Sequence, residues 1–328
     1  MHQLTYGLEE EVFITEPERP TLQSLYYLAR LVWRAPRKYY AHTHCNFTRG
    51  KDLRFGLMSG VEISTAAHTD KRALLEDLAG RRGALAAACS GLIVPLGHLL
   101  DHPEPTNICG MHLHVSGFPD FERAYRNVIY FLPLLILLVA NAPGFGDSFY
   151  GPSFRLAEAF AIGPLREDRK YRFQDVILSK RLGTLEIRAF DPVWDLGRIR
   201  LLLDCIEAVL QTGRTYPGTP ETYNRLRLLA AREGYCEELQ GIYRELKELV
   251  PVPEKFILEP PALKVWDLYR EGGILAAYSA LDNAYRGGPL EPRKLPPMKV
   301  SGLKIIAGVC GYALPRLPYN LRKVWLEW

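Results

Sequence analysis

Residues 108–116 read Ile-Cys-Gly-Met-His-Leu-His-Val-Ser, and the alternation of apolar and polar residues from Ile108 to Ser116 decides how the rest of the chain is read. In an extended strand, residues two apart project from the same face. His112, His114 and Ser116 therefore share one face, with Leu113 and Val115 on the other. Three more segments repeat the pattern. Glu9 and Glu11 share a face of a strand over Leu4–Ile14, and Glu62 stands between Val61 and Ile63 in a β-like run, Gly60–Ala66. Glu186 and Arg188 face one way from Leu182–Phe190, with Leu185, Ile187 and Ala189 opposite. Four strands, each apolar on one side and ionisable on the other, build a curved sheet with a concave polar side.

Such a face is costly unless a metal or a charged substrate neutralises it. Several carboxylates with one or two imidazoles make a hard, oxygen-rich donor set, which suits Mg²⁺ or Mn²⁺ rather than a zinc–thiolate site. Arg188 beside Glu186 supplies a fixed cation for a phosphoryl group or a carboxylate. Each motif alone has an ordinary reading. A run of three glutamates is usually a solvated helix end, and Glu-x-Arg in a strand is usually a cross-strand ion pair. All four on strands of one chain, with one alternation, point to a site.

Between these strands the spacing predicts helices at Thr21–Trp33, at 71–90 with Asp70 as N-cap, at Phe121–Ala140 with Pro133 inside, and at Leu196–Gln211. A short strand is expected at Gly91–Leu96. Beyond Gly213 the chain reads as helical over Thr219–Glu233, Cys236–Val250 and Ala262–Ala284. Strands and helices without a strict βαβ order indicate an α+β fold whose sheet is largely antiparallel, with helices on its outer face.

Composition narrows the function classes. The chain has 328 residues, 48% hydrophobic and 24% charged, enough for a substantial core. A net charge of +4 is too mild to indicate nucleic acid as a partner. Val128–Ala140, the longest apolar run, is too short to span a bilayer. Glu9, Glu10 and Glu11 interrupt any leader-like run at the start, and the six cysteines form no Cys-x-x-Cys pair, so a reducing cytoplasm is the expected setting. All eight histidines lie at or before His114.

In this order the segments resemble the glutamate–cysteine ligase type 2 family of carboxylate–amine ligases. Tyr6-Gly7-Leu8-Glu9-Glu10-Glu11 is similar to that family's opening G-x-E-E-E strand, and Val61-Glu62-Ile63-Ser64-Thr65 to its second acidic strand. Cys109–Val115 resembles its C-G-x-H-x-H-V strand, Ser153-Phe154-Arg155 its S-Y-R loop, and Thr184–Arg188 its T-x-E-x-R strand, with Asp191 matching the acid that follows. The likeness runs from Thr5 to Gly213. It implies a glutamine synthetase-like fold in one catalytic domain, 1–292, and an ATP-dependent ligase that activates a carboxylate, glutamate or a related amino acid, as an acyl phosphate for attack by an amine. It further implies Glu9, Glu11, Glu62, His112 and Glu186 as ligands of Mg²⁺ or Mn²⁺, and His114 and Ser116 against the nucleotide. Arg188 falls on the transferring phosphoryl group and Arg155 on a phosphate or substrate carboxylate. Amino acid substrates and a homo-oligomer are the partners it implies.

The likeness has departures. About 50 residues separate the first acidic strand from Glu62, leaving little for a loop over the substrate. Where the family carries aspartate-x-arginine before its T-x-E-x-R strand, this chain reads Asp175-Val176-Ile177, with Lys180 and Arg181 as the nearest cations. A metal-dependent amidohydrolase and a non-catalytic nucleotide-binding descendant stay open as alternatives. No counterpart is recognised for residues 293–328. Arg293 to Leu326 carries seven cations and no acid, and is read first as an extension packed on the domain, second as a contact for an anionic surface.

Overall fold

Alternation and helical spacing translate into an antiparallel sheet with helices on one side. A computed structural model of the chain describes residues 3–15, 26–27, 30–31, 40–42, 60–101, 108–158, 163–171, 173–179, 183–295 and 300–318. The strands are β1 (Thr5–Thr15), β2 (Tyr40–His42), β3 (Gly60–Ser64), β4 (Leu92–Val94) and β5 (Met111–Ser116), then the two-residue β6 (Gly144–Phe145) and β7 (Ser148–Phe149), β8 (Val176–Ser179) and β9 (Thr184–Phe190). Seven of them form one sheet in the order β2-β3-β1-β5-β9-β8, with β4 also on β1, and every pairing is antiparallel. The expected helix over Thr21–Trp33 falls largely outside the described residues.

One face of this sheet is the core. Tyr6, Leu8, Leu113, Val115, Leu185, Ile187 and Val176 are all buried there, packed in one cluster with Leu74, Leu78 and Leu85 of α1 (Lys71–Ala88). Asp70 caps α1 by accepting from the Arg72 amide, as its sequence position suggests. Behind lie α2 (Phe121–Ile136), α4 (Leu196–Gln211), α5 (Pro220–Glu233) and α6 (Glu237–Leu249). Short helices α3 (Phe154–Glu158) and α7 (Lys255–Leu258) fill turns, and α8 (Pro261–Tyr285) packs on β4. The helix α9 (Gly302–Ala313) lies beyond the segment at 296–299.

Two helices depart from their expected form. The pattern at Phe121–Ala140 suggests one helix, yet α2 ends at Ile136, and Leu137, Leu138 and Val139 bond to carbonyls three residues back. That tighter turn leaves the Leu138 carbonyl to the buried Arg198 guanidinium, 3.0 Å away, and brings Asn141 onto Asp191. Within α8, Gly273 takes φ 72° and ψ −174° and breaks the helix.

Gly151 is a tight approach. Its φ is 123°, and a Cβ there would lie 2.6 Å from the Ala231 carbonyl oxygen at the end of α5. Gly151→Ala is expected to lower stability by about 2 kcal/mol, read as a lower melting temperature, since backbone rather than a flexible side chain must yield.

Candidate active site

Strand parity sorts the ionisable residues before any side-chain detail enters. Tyr6, Leu8 and Glu10 of β1 face the core, so Glu9 and Glu11 face away from it. Register then aligns the strands in rows. Glu9 lies opposite His112 on one side and Ser64 on the other, and Glu11 lies opposite Glu62. One row further on, Gly7, His114, Glu186 and Ile177 stand side by side on four adjacent strands.

These rows converge on Glu9. Its Oε2 lies 3.4 Å from His112 Nδ1 and 3.4 Å from His114 Nε2. Contact with the two imidazoles, His112 first, holds the Glu9 carboxyl well below the usual carboxylate range against the opposing effect of burial. His114 Nδ1 stands 3.4 Å from Thr184 Oγ1, while its buried Nε2 is the atom that faces Glu9. Glu186 Oε1 accepts from Arg188 Nη1 at 2.9 Å, and Arg188 Nε is buried without a hydrogen-bond partner. Buried polar atoms without partners are rare and mark places where a ligand completes the set.

Arg188 owes its position to an irregularity in β9. Leu113 pairs with Ile187, whereas Met111 pairs with Phe190, so β9 carries one extra residue at this point. Such a bulge re-aims a side chain and leaves ladder groups without strand partners. Here the Arg188 amide donates to the Asp175 carbonyl at 2.7 Å, and the Arg188 carbonyl accepts from Arg155 Nη2 at 2.9 Å.

That geometry sets Arg155 beneath the bulge. Its guanidinium is 1% exposed and donates to the Phe190 carbonyl and to Asp191 Oδ1, at 3.2 and 3.3 Å, besides the Arg188 carbonyl. Asp191 is itself fully enclosed, and burial raises its carboxyl above the usual value despite Arg155. Arg155 supports the bulge from below, with its Nε buried and without a hydrogen-bond partner.

The remaining candidates spread along the same face. Glu11 Oε2 accepts from the Gly110 amide at 2.8 Å, and Glu62 Oε1 accepts from Ser64 Oγ at 3.3 Å. Ser116 is at the far end of β5 opposite Thr5. Ile177, in the place of the arginine expected from the likeness, stands opposite Glu186 and is buried. Asp175 points the other way and is bound by Tyr223 and Arg227 of α5. Lys180 and Arg181 lie outside the described residues. Residues 109–116 alone carry no signal for Thr184 as a neighbour of His114; the pairing of β5 with β9 supplies it.

The donor set fits a divalent cation. One ligand atom each from Glu9, His114 and Glu186 lie within 4.8 Å of one another. An ion bound at about 2.1 Å to each places ligand atoms up to about 4.2 Å apart, so a contraction of a few tenths of an ångström completes the site. Among the described residues, the strands put four carboxylates on this face (Glu9, Glu11, Glu62 and Glu186) and only one cation, Arg188. That imbalance favours hard cations. A separate cleft of ≈ 840 Å³ between the Gly273 break and the β6–β7 hairpin is walled by Phe149, Trp266 and Tyr269 and shares no lining residue with this face.

The chain is thus an antiparallel sheet backed by helices, with a Glu/His/Arg face on its other side. The likeness drawn from the motifs is borne out by comparison. The chain is 27% identical over 185 residues to a putative glutamate–cysteine ligase 2 of Bradyrhizobium sp. strain BTAi1; the match spans 47% of this chain and 43% of that protein, less than half of either. No family model matches the chain. Among solved structures, a glutamate–cysteine ligase from Francisella tularensis in complex with AMP superposes with a TM-score of 0.59 at 10% identity, covering 98% of this chain and 94% of that one. A bifunctional glutathione synthetase from Pasteurella multocida gives 0.58 at 13% identity, covering 87% of this chain and 51% of that chain. The fold class, α+β with an antiparallel sheet, is thus that of known ligases.

Proposed function

We propose that the chain is an ATP-dependent carbon–nitrogen ligase that joins the carboxylate of glutamate or a related amino acid to an amine through an acyl phosphate. The observation that carries this reading is the convergence of Glu9, His114 and Glu186 beside Arg188. Support comes from the fold shared with ligases, one of which is in complex with AMP.

Glu9, His114 and Glu186 would hold a divalent cation, with His112 orienting Glu9 through the same oxygen that faces His114. Glu11 and Glu62, directly opposite each other, are a second pair of oxygen donors on the same sheet face. Bound there, Mg²⁺ or Mn²⁺ neutralises the triphosphate and polarises its terminal phosphoryl group. His114 and Ser116 line the nucleotide's side of the strand. Arg188 keeps one donor on Glu186 and offers Nε to the phosphoryl oxygens as charge builds on them. The substrate carboxylate takes the γ-phosphoryl group and ADP leaves. The amine nitrogen then attacks the acyl carbon, phosphate departs, and the nitrogen loses a proton. Arg188 on the metal face also favours phosphoryl transfer over hydrolytic water, the demand of an amidohydrolase.

The test is ADP release by the purified chain given ATP, Mg²⁺, glutamate and a panel of amines, with the amide identified by mass spectrometry. Chelation by EDTA is expected to abolish release and added Mn²⁺ to restore it. Arg188→Ala is expected to lower release by about 10²-fold while Mn²⁺ still binds, because it removes charge stabilisation and leaves all three ligands. Neither ATP binding nor turnover in any mixture would overturn the proposal, and metal-dependent amide cleavage without ATP would replace it with hydrolysis.

A further inference from the structure

The segment after Arg293 presents a face that the other described residues do not cover. Leu303 is 82% exposed, Ile306 61%, Leu314 63% and Leu317 50%, in a stretch of only 15 residues. Their spacing of three, eight and three keeps them on one side of a helix, and Cys310, also exposed, fills the middle. The backbone of Leu314 is still right-handed helical, which carries the stripe past the end of α9. The opposite side is the inner one. Gly308 is buried there, and a Cβ on it would come within 2.7 Å of Tyr26 Cδ2, so the glycine lets α9 lie close against that ring.

The inner side fits the reading of the tail as an extension packed on the domain, and the exposed stripe leaves its outer side for a partner. Scattered exposed leucines are ordinary, but a contiguous apolar stripe on a soluble chain marks an interaction surface. Charge identifies the partner. From Arg293 to Leu326 the chain has seven cations and no acid. The base of the segment is anchored, since Arg293 pairs with the buried Asp282 on α8. Lys304 is exposed on α9 within a turn of Leu303 and Ile306.

We infer that α9 and the turn that follows it as far as Leu317 form an interfacial site that seats this protein on an anionic phospholipid surface. The stripe enters the boundary between headgroups and acyl chains, and Lys304, exposed beside it, meets the phosphates. A helix of 12 residues is about 18 Å long, against a hydrocarbon core of about 30 Å, so it lies in the surface and does not cross it. A second copy of the chain is the poorer occupant. A two-fold contact would set two cation-rich, acid-free segments face to face without counter-charge.

The experiment is co-sedimentation of the full chain with vesicles of phosphatidylglycerol and phosphatidylcholine, or of phosphatidylcholine alone. Binding is expected to the anionic vesicles only, and to weaken as salt rises. The double variant Leu303→Asp, Ile306→Asp is expected to lose about 10-fold or more in vesicle affinity, because charged groups replace the inserting ones. Its melting temperature is expected to stay unchanged, as both side chains are exposed. Equal partition into both kinds of vesicle, none into either, or undiminished binding of the double variant would overturn the inference. So would a shift from dimer to monomer in sedimentation velocity on making the double variant, which would assign the stripe to a second copy.

Discussion

Glu186→Gln is expected to lower Mg²⁺- and ATP-dependent ADP release by about 10³-fold or more. Glu186 does two jobs that glutamine cannot: it offers an anionic oxygen to the cluster with Glu9 and His114, and it holds Arg188 by a charged hydrogen bond. Loss of a charged metal ligand removes several kcal/mol of transition-state stabilisation, and each 1.36 kcal/mol is about tenfold in rate. Mn²⁺ affinity, followed by the ion's paramagnetic effect on water relaxation, is expected to fall in the same variant. The fold is not expected to suffer. The side chain belongs to a face already rich in carboxylates, so the melting temperature should move by no more than about 3 °C. A variant that keeps wild-type turnover with normal stability would remove Glu186 from the proposed machinery.

Glu10→Ala is expected to have the opposite profile, a loss of stability of about 3–5 kcal/mol. Glu10 is fully buried on the core face and receives two bonds from Arg82 and one from the Tyr285 hydroxyl, the latter at 3.0 Å. Arg82, itself 3% exposed, also donates to the carbonyls of Val193 and Trp194. Removing the carboxylate leaves a guanidinium buried without its counter-ion, which costs more than the pair gained on forming. The loss amounts to a large share of the total stability of an ordinary domain and is read directly as a reduced denaturation midpoint. Glu10→Gln, which still accepts from Arg82 and Tyr285, should lose less than the alanine variant. Turnover per folded molecule is expected to change little in either, since Glu10 faces away from the site. Three consecutive glutamates thus divide by parity alone, Glu10 to the core and Glu9 and Glu11 to the face of the proposed site.

Much of the sheet was legible in the sequence because a strand's period of two depends on nothing beyond the strand itself. The alternating strands read at Ile108–Ser116 and Leu182–Phe190 appear as Met111–Ser116 and Thr184–Phe190, Leu196–Gln211 appears as a helix, and Asp70 caps α1 as read. Elements whose cause is distant were not legible. β8 is four residues long and reads as nothing by itself; it exists because β9 pairs with it. The end of α2 depends on Arg198, and Gly272-Gly273 was the one local sign that α8 would break.

The site divides in the same way. Glu9, Glu11, Glu62, His112, His114, Glu186 and Arg188 were recognisable as one face's worth of ionisable groups, because each strand sorts its own side chains. What parity does not contain is register. Only pairing of β1 with β5, and of β5 with β9, brings Glu9, His114 and Glu186 within reach of one cation and leaves Glu11 with Glu62 one row away. Arg155 shows the limit most clearly. The resemblance gives it a phosphate or a substrate carboxylate, and only the bulge in β9 sets its guanidinium on the Arg188 carbonyl. The sequence by itself determined which face each residue occupies, because that is a matter of covalent geometry within a strand. Tertiary structure decided which of those residues meet, because distances across strands depend on hydrogen-bond register and on the packing of helices that no single segment encodes.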